Sequence, residues 1–168
     1  MMNHCLEKCA TENTEYNKKS KKVLSVVTFL VASIVCGQSL AAGVYSDLAN
    51  GTVLDNVTSL VWQQEDDDEN TRTWEEALAY CEALDLAGHT DWRLPNIREL
   101  FSIIDRSLSI PRIDTAYFYN TNSANYWTST TLNGVNSQAY SVSFFSAQIA
   151  TTNKTGISNI LVRCVRNP

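Results

Sequence analysis

The sequence predicts an α+β fold in which two short helices are followed by a β-rich half of antiparallel hairpins. Three observations carry that expectation. Capping-box strings occur at Thr73-Trp-Glu-Glu76 and at Asn96 with Glu99, apolar residues recur every three or four positions after each, and from Tyr126 the apolar period falls to two.

Taken in order, Thr52 to Gln63 reads as two short β segments around a polar Asp55-Asn56 turn, and Glu65-Asp-Asp-Asp-Glu-Asn70 reads as a solvated loop. The first helix starts at the Thr73 cap and puts Trp74, Ala77, Leu78, Cys81 and Leu84 on one inward face, with Gly88 expected to end it. Asn96 opens the second, whose apolar stripe is Ile97, Leu100, Ile103 and Ile104. Strands are then expected at Tyr126 to Thr131, after an Asn133-Gly134 turn at Ala139 to Phe144, at Ile149 to Thr152, and at Ile160 to Val165. In the last of these Ile160, Val162 and Cys164 share a face, so the first helix and the final strand can meet at Cys81 and Cys164. No repeat, linker or low-complexity stretch divides residues 42 to 168, which read as one domain.

Upstream, Lys18, Lys19, Lys21 and Lys22 precede the uncharged run Val23 to Cys36, and small residues stand at Ser39 and Ala41. That is the layout of an n-region and signal peptide over residues 1 to 41, with cleavage between Ala41 and Ala42. The stretch before about Lys18 is longer than an n-region needs, which fits a start codon assigned too early. Export to the periplasm, cell surface or medium follows. The minor alternative is an uncleaved inner-membrane anchor, for which the run falls short of the roughly 20 apolar residues that span a bilayer. Val35 before Cys36 argues against lipidation.

Counted from Ala42, eight basic residues face fifteen acidic ones, a formal charge of −7. An acidic surface repels phosphate backbones and anionic headgroups, so neither nucleic acid nor a membrane surface is expected as partner. Only Cys81 and Cys164 survive cleavage, and two thiols in an oxidising compartment are expected to pair.

Five strings together resemble a known family: Asp55-Asn-Val-Thr-Ser-Leu-Val-Trp62, Thr73-Trp-Glu-Glu-Ala-Leu-Ala-Tyr-Cys81, Leu86-Ala-Gly-His-Thr-Asp-Trp-Arg-Leu-Pro-Asn96, Tyr126-Trp-Thr-Ser-Thr130 and Val162-Arg-Cys-Val-Arg166. In this order they are similar to the C-terminal domain of the Legionella collagen-like adhesin and its bacterial relatives. The resemblance spans about Asp47 to Asn167. It implies a C-type-lectin-like fold in exported or surface proteins, associated with adhesion and carbohydrate recognition. This chain departs from the adhesin in lacking a Gly-X-Y stalk and in its acidity, which leaves no evident site for sulphated glycans.

Enzymatic and metal chemistry find little footing. Asp66, Asp68 and Asn70 alternate as in a calcium loop, but Thr71 stands where the turn glycine belongs, so at most loose calcium is expected and no resident cofactor. His4, Cys5 and Cys9 lie in the leader, and His89 alone cannot build a zinc site or a Ser-His-Asp triad. Glu75, Glu76, Glu82 and Asp91 offer no visible pair across a cleft for glycoside hydrolysis. A formylglycine-generating activity would need a reactive cysteine pair where the only pair here reads as structural. In Trp92-Arg93-Leu94-Pro95-Asn96 the structural reading outweighs a ligand-facing fork: Asn96 caps, Pro95 sets the approach, and Arg93 has Asp91 and Glu99 within reach.

The remaining candidate is an aromatic and amide-rich stretch including Tyr117, Tyr119, Asn120, Asn122, Asn125, Tyr126 and Trp127. Sugars stack on flat rings and bond planar amides, so Asn122, Asn125, Tyr126 and Trp127 are the expected ligand residues. The competing reading places Tyr126 and Trp127 in the core and the asparagines in turns. The expected function is a non-enzymatic recognition domain for carbohydrate or a surface protein. A structural subunit of an envelope assembly and a carboxylate-dependent hydrolase are the alternatives, in that order.

Overall fold

The computed structural model describes residues 44–66, 70–156 and 160–168. The expected leader, residues 1 to 41, lies outside them, as does Asp68 of the calcium expectation. Among the described residues no helix is long and apolar enough to cross a membrane.

Ten elements follow in order: β1 (Tyr45–Asp47), β2 (Thr52–Asp55), β3 (Val61–Gln63), α1 (Trp74–Glu82), α2 (Ile97–Ser102), β4 (Asn125–Thr131), β5 (Gln138–Ser143), β6 (Ile149–Asn153), β7 (Ile160–Leu161) and β8 (Val165–Arg166). The strands form two four-stranded sheets, ordered β1-β2-β3-β8 and β6-β5-β4-β7. This overturns the expected C-type-lectin-like α+β layout of helices followed by a β half. Three strands precede the helices, and the helices are only 9 and 6 residues long, so the fold is β-rich. β1 was not foreseen, and Gly88 does not end α1: the helix stops at Glu82, while Gly88, at φ +75°, serves the Leu86–His89 turn.

Local chemistry explains the elements that were foreseen. The Asp55 carboxylate accepts from the Val57 and Thr58 amides at 2.8 and 3.2 Å and from the Thr58 hydroxyl at 2.7 Å, which folds β2 back onto β3. Both capping boxes are formed. Thr73 and Glu76 exchange bonds at α1, and at α2 Asn96 accepts from the Arg98 and Glu99 amides while Glu99 accepts from the Asn96 amide. β4 and β5 pair antiparallel with a register shift after Trp127, and Gly134, at φ +78°, lies in the connecting turn.

The chain end ties the sheets together. β7 pairs parallel with β4 in the second sheet, and β8 pairs antiparallel with β3 in the first. The expected single strand Ile160 to Val165 is therefore two strands, and Val162, Arg163 and Cys164 cross between the sheets fully buried. Cys164 meets Cys81 of α1 in a disulfide, with Cα atoms 5.6 Å apart across 83 residues of sequence.

Two apolar clusters fill the interior, and several strands feed both. Trp62, Tyr126, Val142, Leu161 and Val165 belong to one; Val61, Trp127, Ala139, Ile160 and Cys164 belong to the other. Because neighbouring strand residues point to opposite faces, these strands are covered on both sides. β3 accordingly shows three buried residues in a row.

Candidate functional site

The Trp92 to Asn96 block forms a joint between the sheets. Trp92, Leu94 and Pro95 are buried. The Arg93 backbone exchanges hydrogen bonds with Val165 at 2.9 Å, and the Pro95 carbonyl accepts from the Ser129 amide at 2.8 Å. Of the two carboxylates within reach, Glu99 takes both Arg93 terminal nitrogens at 2.7 and 2.8 Å; Asp91 pairs with Arg166 at 2.8 Å. A planar fork on a carboxylate fixes the approach to α2.

The expected ligand residues separate. Tyr126 and Trp127 are both fully buried, so neither offers a ring face to a ligand. Trp127 spends its indole N–H on the Arg72 carbonyl at 2.9 Å, and Tyr126 stacks on Phe144 with ring centroids 4.3 Å apart. Asn125 is half-buried in β4 between β5 and β7, whereas Asn122 is exposed. Two aromatic and amide residues of the same stretch stand out to solvent as well. Tyr119 is 41 % exposed, and Asn120 is exposed at φ 49°.

Beneath that loop lies a polar network that the sequence reading missed. Arg163, fully buried, donates through Nη1 to the Gln63 and Gln64 carbonyls at 2.8 and 2.6 Å and through Nη2 to the Thr121 hydroxyl at 2.7 Å. Its charge partner is Asp66, 4.0 Å away and equally buried. The Tyr126 hydroxyl donates to Asp66 Oδ2 and lies 3.0 Å from the Asn122 carbonyl, and the Asn122 amide bonds both Asp66 Oδ2 and the Tyr126 oxygen. Burial pushes the Tyr126 hydroxyl far above its ordinary range, with Asp66 adding to the push and Arg163 opposing it. Burial also lowers the Arg163 pKa, opposed by Tyr126 and Asp66. One cue was present: an arginine inside Ile160-Leu-Val-Arg-Cys-Val165 must find partners if the strand is buried.

Asp66 thus faces arginine and tyrosine through Oδ2, while Asn70 of the same loop is exposed. Of the carboxylates weighed for hydrolysis, Glu76 closes the α1 cap, Asp91 holds Arg166, and Glu75 and Glu82 are exposed on α1; His89 is exposed too.

The described domain is thus two four-stranded sheets, stapled to α1 by the disulfide and bearing a loop braced from below. The chain matches the family described as the Lcl C-terminal domain over residues 51–166, and it belongs to that family. This is the adhesin-related family that the five strings resemble. A comparison with curated proteins matches none of them.

Proposed function

We propose that the protein is an exported, non-enzymatic recognition domain whose Tyr117 to Asn122 loop binds carbohydrate. The observation that carries this reading is the loop's bracing. Arg163, Asp66 and Tyr126 hold Thr121 and Asn122 from inside, while Tyr119, Asn120 and the Asn122 side chain face outward. A loop ordered before binding loses little entropy on binding, and exposed aromatic and amide groups suit sugar rings and hydroxyls. Family membership supports an adhesin-type role, and the disulfide supports an oxidising compartment.

A glycan array tests this. The native protein should give a defined signal that a Tyr119→Ala, Asn122→Ala variant loses while keeping its melting temperature. A flat array overturns carbohydrate recognition, and capture of one surface protein from intact cells would then identify a protein ligand in its place.

A further inference from the structure

We propose that the cleft beside this loop is its principal subsite and takes an amino sugar, held through its ammonium and neighbouring hydroxyls. This rests on the carbohydrate reading above and names the ligand class. The cleft has a volume of about 410 Å³ and is lined by Gly51, Gln63, Gln64, Glu65, Asp66 and Leu86. That lies within the roughly 300–1,000 Å³ of small-molecule pockets. It adjoins the braced loop directly, because Asn120 donates to Glu65 at 3.1 Å and Gln64 donates to the Tyr117 carbonyl at 3.1 Å.

The acceptors of this wall are the carboxylates of Glu65 and Asp66, while the Gln63 and Gln64 amides have partners of their own. Gln63 gives its amide to the Tyr80 hydroxyl at 3.2 Å and accepts from the Cys164 amide at 3.1 Å. Gln64 donates to the Tyr117 carbonyl, and its side chain also helps to hold the Asp47 carboxylate. Glu65 is exposed and accepts from Asn120 through Oε1, and among the described residues its other oxygen takes no hydrogen bond. Asp66, whose side chain is wholly buried at the cleft wall, carries an Oδ1 that has no hydrogen-bond partner among the described residues.

The charge balance points the same way. Among the described residues no basic one lines the cleft, and Arg163 lies sealed beneath it with its terminal nitrogens on two carbonyls and a hydroxyl. Asp66 is the close partner of that cation and Glu65 feels it more weakly, and among the described residues neither Glu65 nor the adjacent Asp47 forms an ion pair of its own. The Ala49 amide and then the Gln64 side chain hold Asp47 below its ordinary value, which keeps it charged. An acceptor-lined, negative cleft selects donors and positive charge, and it repels sulphated or carboxylated sugars. A bare alkylammonium would leave most of the volume empty. A hydroxylated ring takes up more of it, with Leu86 against its carbon face and the Tyr119 ring at the rim, where the tyrosine hydroxyl bonds Asp47 at 3.1 Å.

Titration calorimetry of the processed protein with a glucosamine oligomer, its N-acetylated counterpart and a lysine-bearing peptide tests the proposal. The free-amine sugar should bind about tenfold or more tightly than either comparator, and Glu65→Gln should weaken it by a similar factor. Glu65 is exposed and glutamine keeps an acceptor for Asn120, so the variant should melt with the native protein. Equal binding of the N-acetylated oligomer, equal binding of the peptide, or indifference to Glu65→Gln overturns the assignment. Other glycans binding through Tyr119 and Asn122 while the glucosamine oligomer does not would sink the subsite and leave the recognition reading standing. A flat array would sink both.

Discussion

Two arginine–carboxylate pairs hold this domain in opposite ways. Arg93 and Glu99 are six residues apart, with side chains 38 % and 19 % exposed, and they meet through a bidentate fork. Arg163 and Asp66 come from distant parts of the chain, both are fully buried, and their charges are 4.0 Å apart. The first pair is a local brace on a helix start, worth little by itself because water competes for it. The second gives structure to the Gln63–Asp66 and Thr121–Asn122 segments that frame the candidate site, and its loss strands a charge inside protein. The same side-chain chemistry thus serves trim in one place and foundation in the other. Burial decides which.

The residue next to Arg163 tests the foundation most severely. Cys164→Ser removes a bridge that closes 83 residues of sequence, and the chain-entropy argument puts the loss at about 4 kcal/mol less any strain. Denaturant unfolding should show it, and an unchanged midpoint would refute the view that the crossing segment is the keystone. Arg163→Met should cost about 3 kcal/mol, since Asp66 is left without its partner. Adding Asp66→Leu to it should recover part of that loss, because no buried charge then remains. If the double variant were worse by the sum of the singles, the pair would not be acting as a pair.

On the exposed side the effects shrink. Asn96→Ala removes the acceptor for two orphan amides of α2 and should cost about 1 kcal/mol by thermal unfolding, well below Arg163→Met. The smallest effect concerns pH. Burial would raise the Glu99 pKa, but the Arg93 fork and the Asn96 amide outweigh it and hold the carboxyl below its ordinary value. A depressed carboxylate stabilises the fold fully above its unfolded value of about 4.3, and that contribution disappears as pH falls through the lower folded value. Glu99→Gln should therefore melt at a slightly lower temperature at neutral pH and lose less between roughly pH 5 and 3 than the native protein. Parallel acid limbs would show that the fork contributes nothing measurable.

The two pairs also mark how far the sequence could be read. The caps at Thr73 and Asn96 with their reciprocating glutamates, the Asp55 turn and the Asn133-Gly134 turn involve groups a few residues apart, and all were legible. For Tyr126 and Trp127 the sequence left a ligand-facing and a core reading side by side, and the structure buries both. One of two adjacent strand residues is ordinarily exposed, and nothing in their immediate neighbours reveals that β4 is covered on both faces.

What the sequence by itself determined is the family, the disulfide partners and the local signals that start helices and turn hairpins. These depend on short-range hydrogen bonding, on short strings in a fixed order, or on the two cysteines Cys81 and Cys164 of the matched region. Tertiary structure alone decided three further things: that the strand-like run Ile160 to Val165 breaks to join two sheets, that Arg163 and Asp66 meet beneath a loop, and that the open surface falls at Tyr119, Asn120 and Glu65. Each depends on which faces are covered. That is set by packing between segments distant in the chain, where periodicity carries no information.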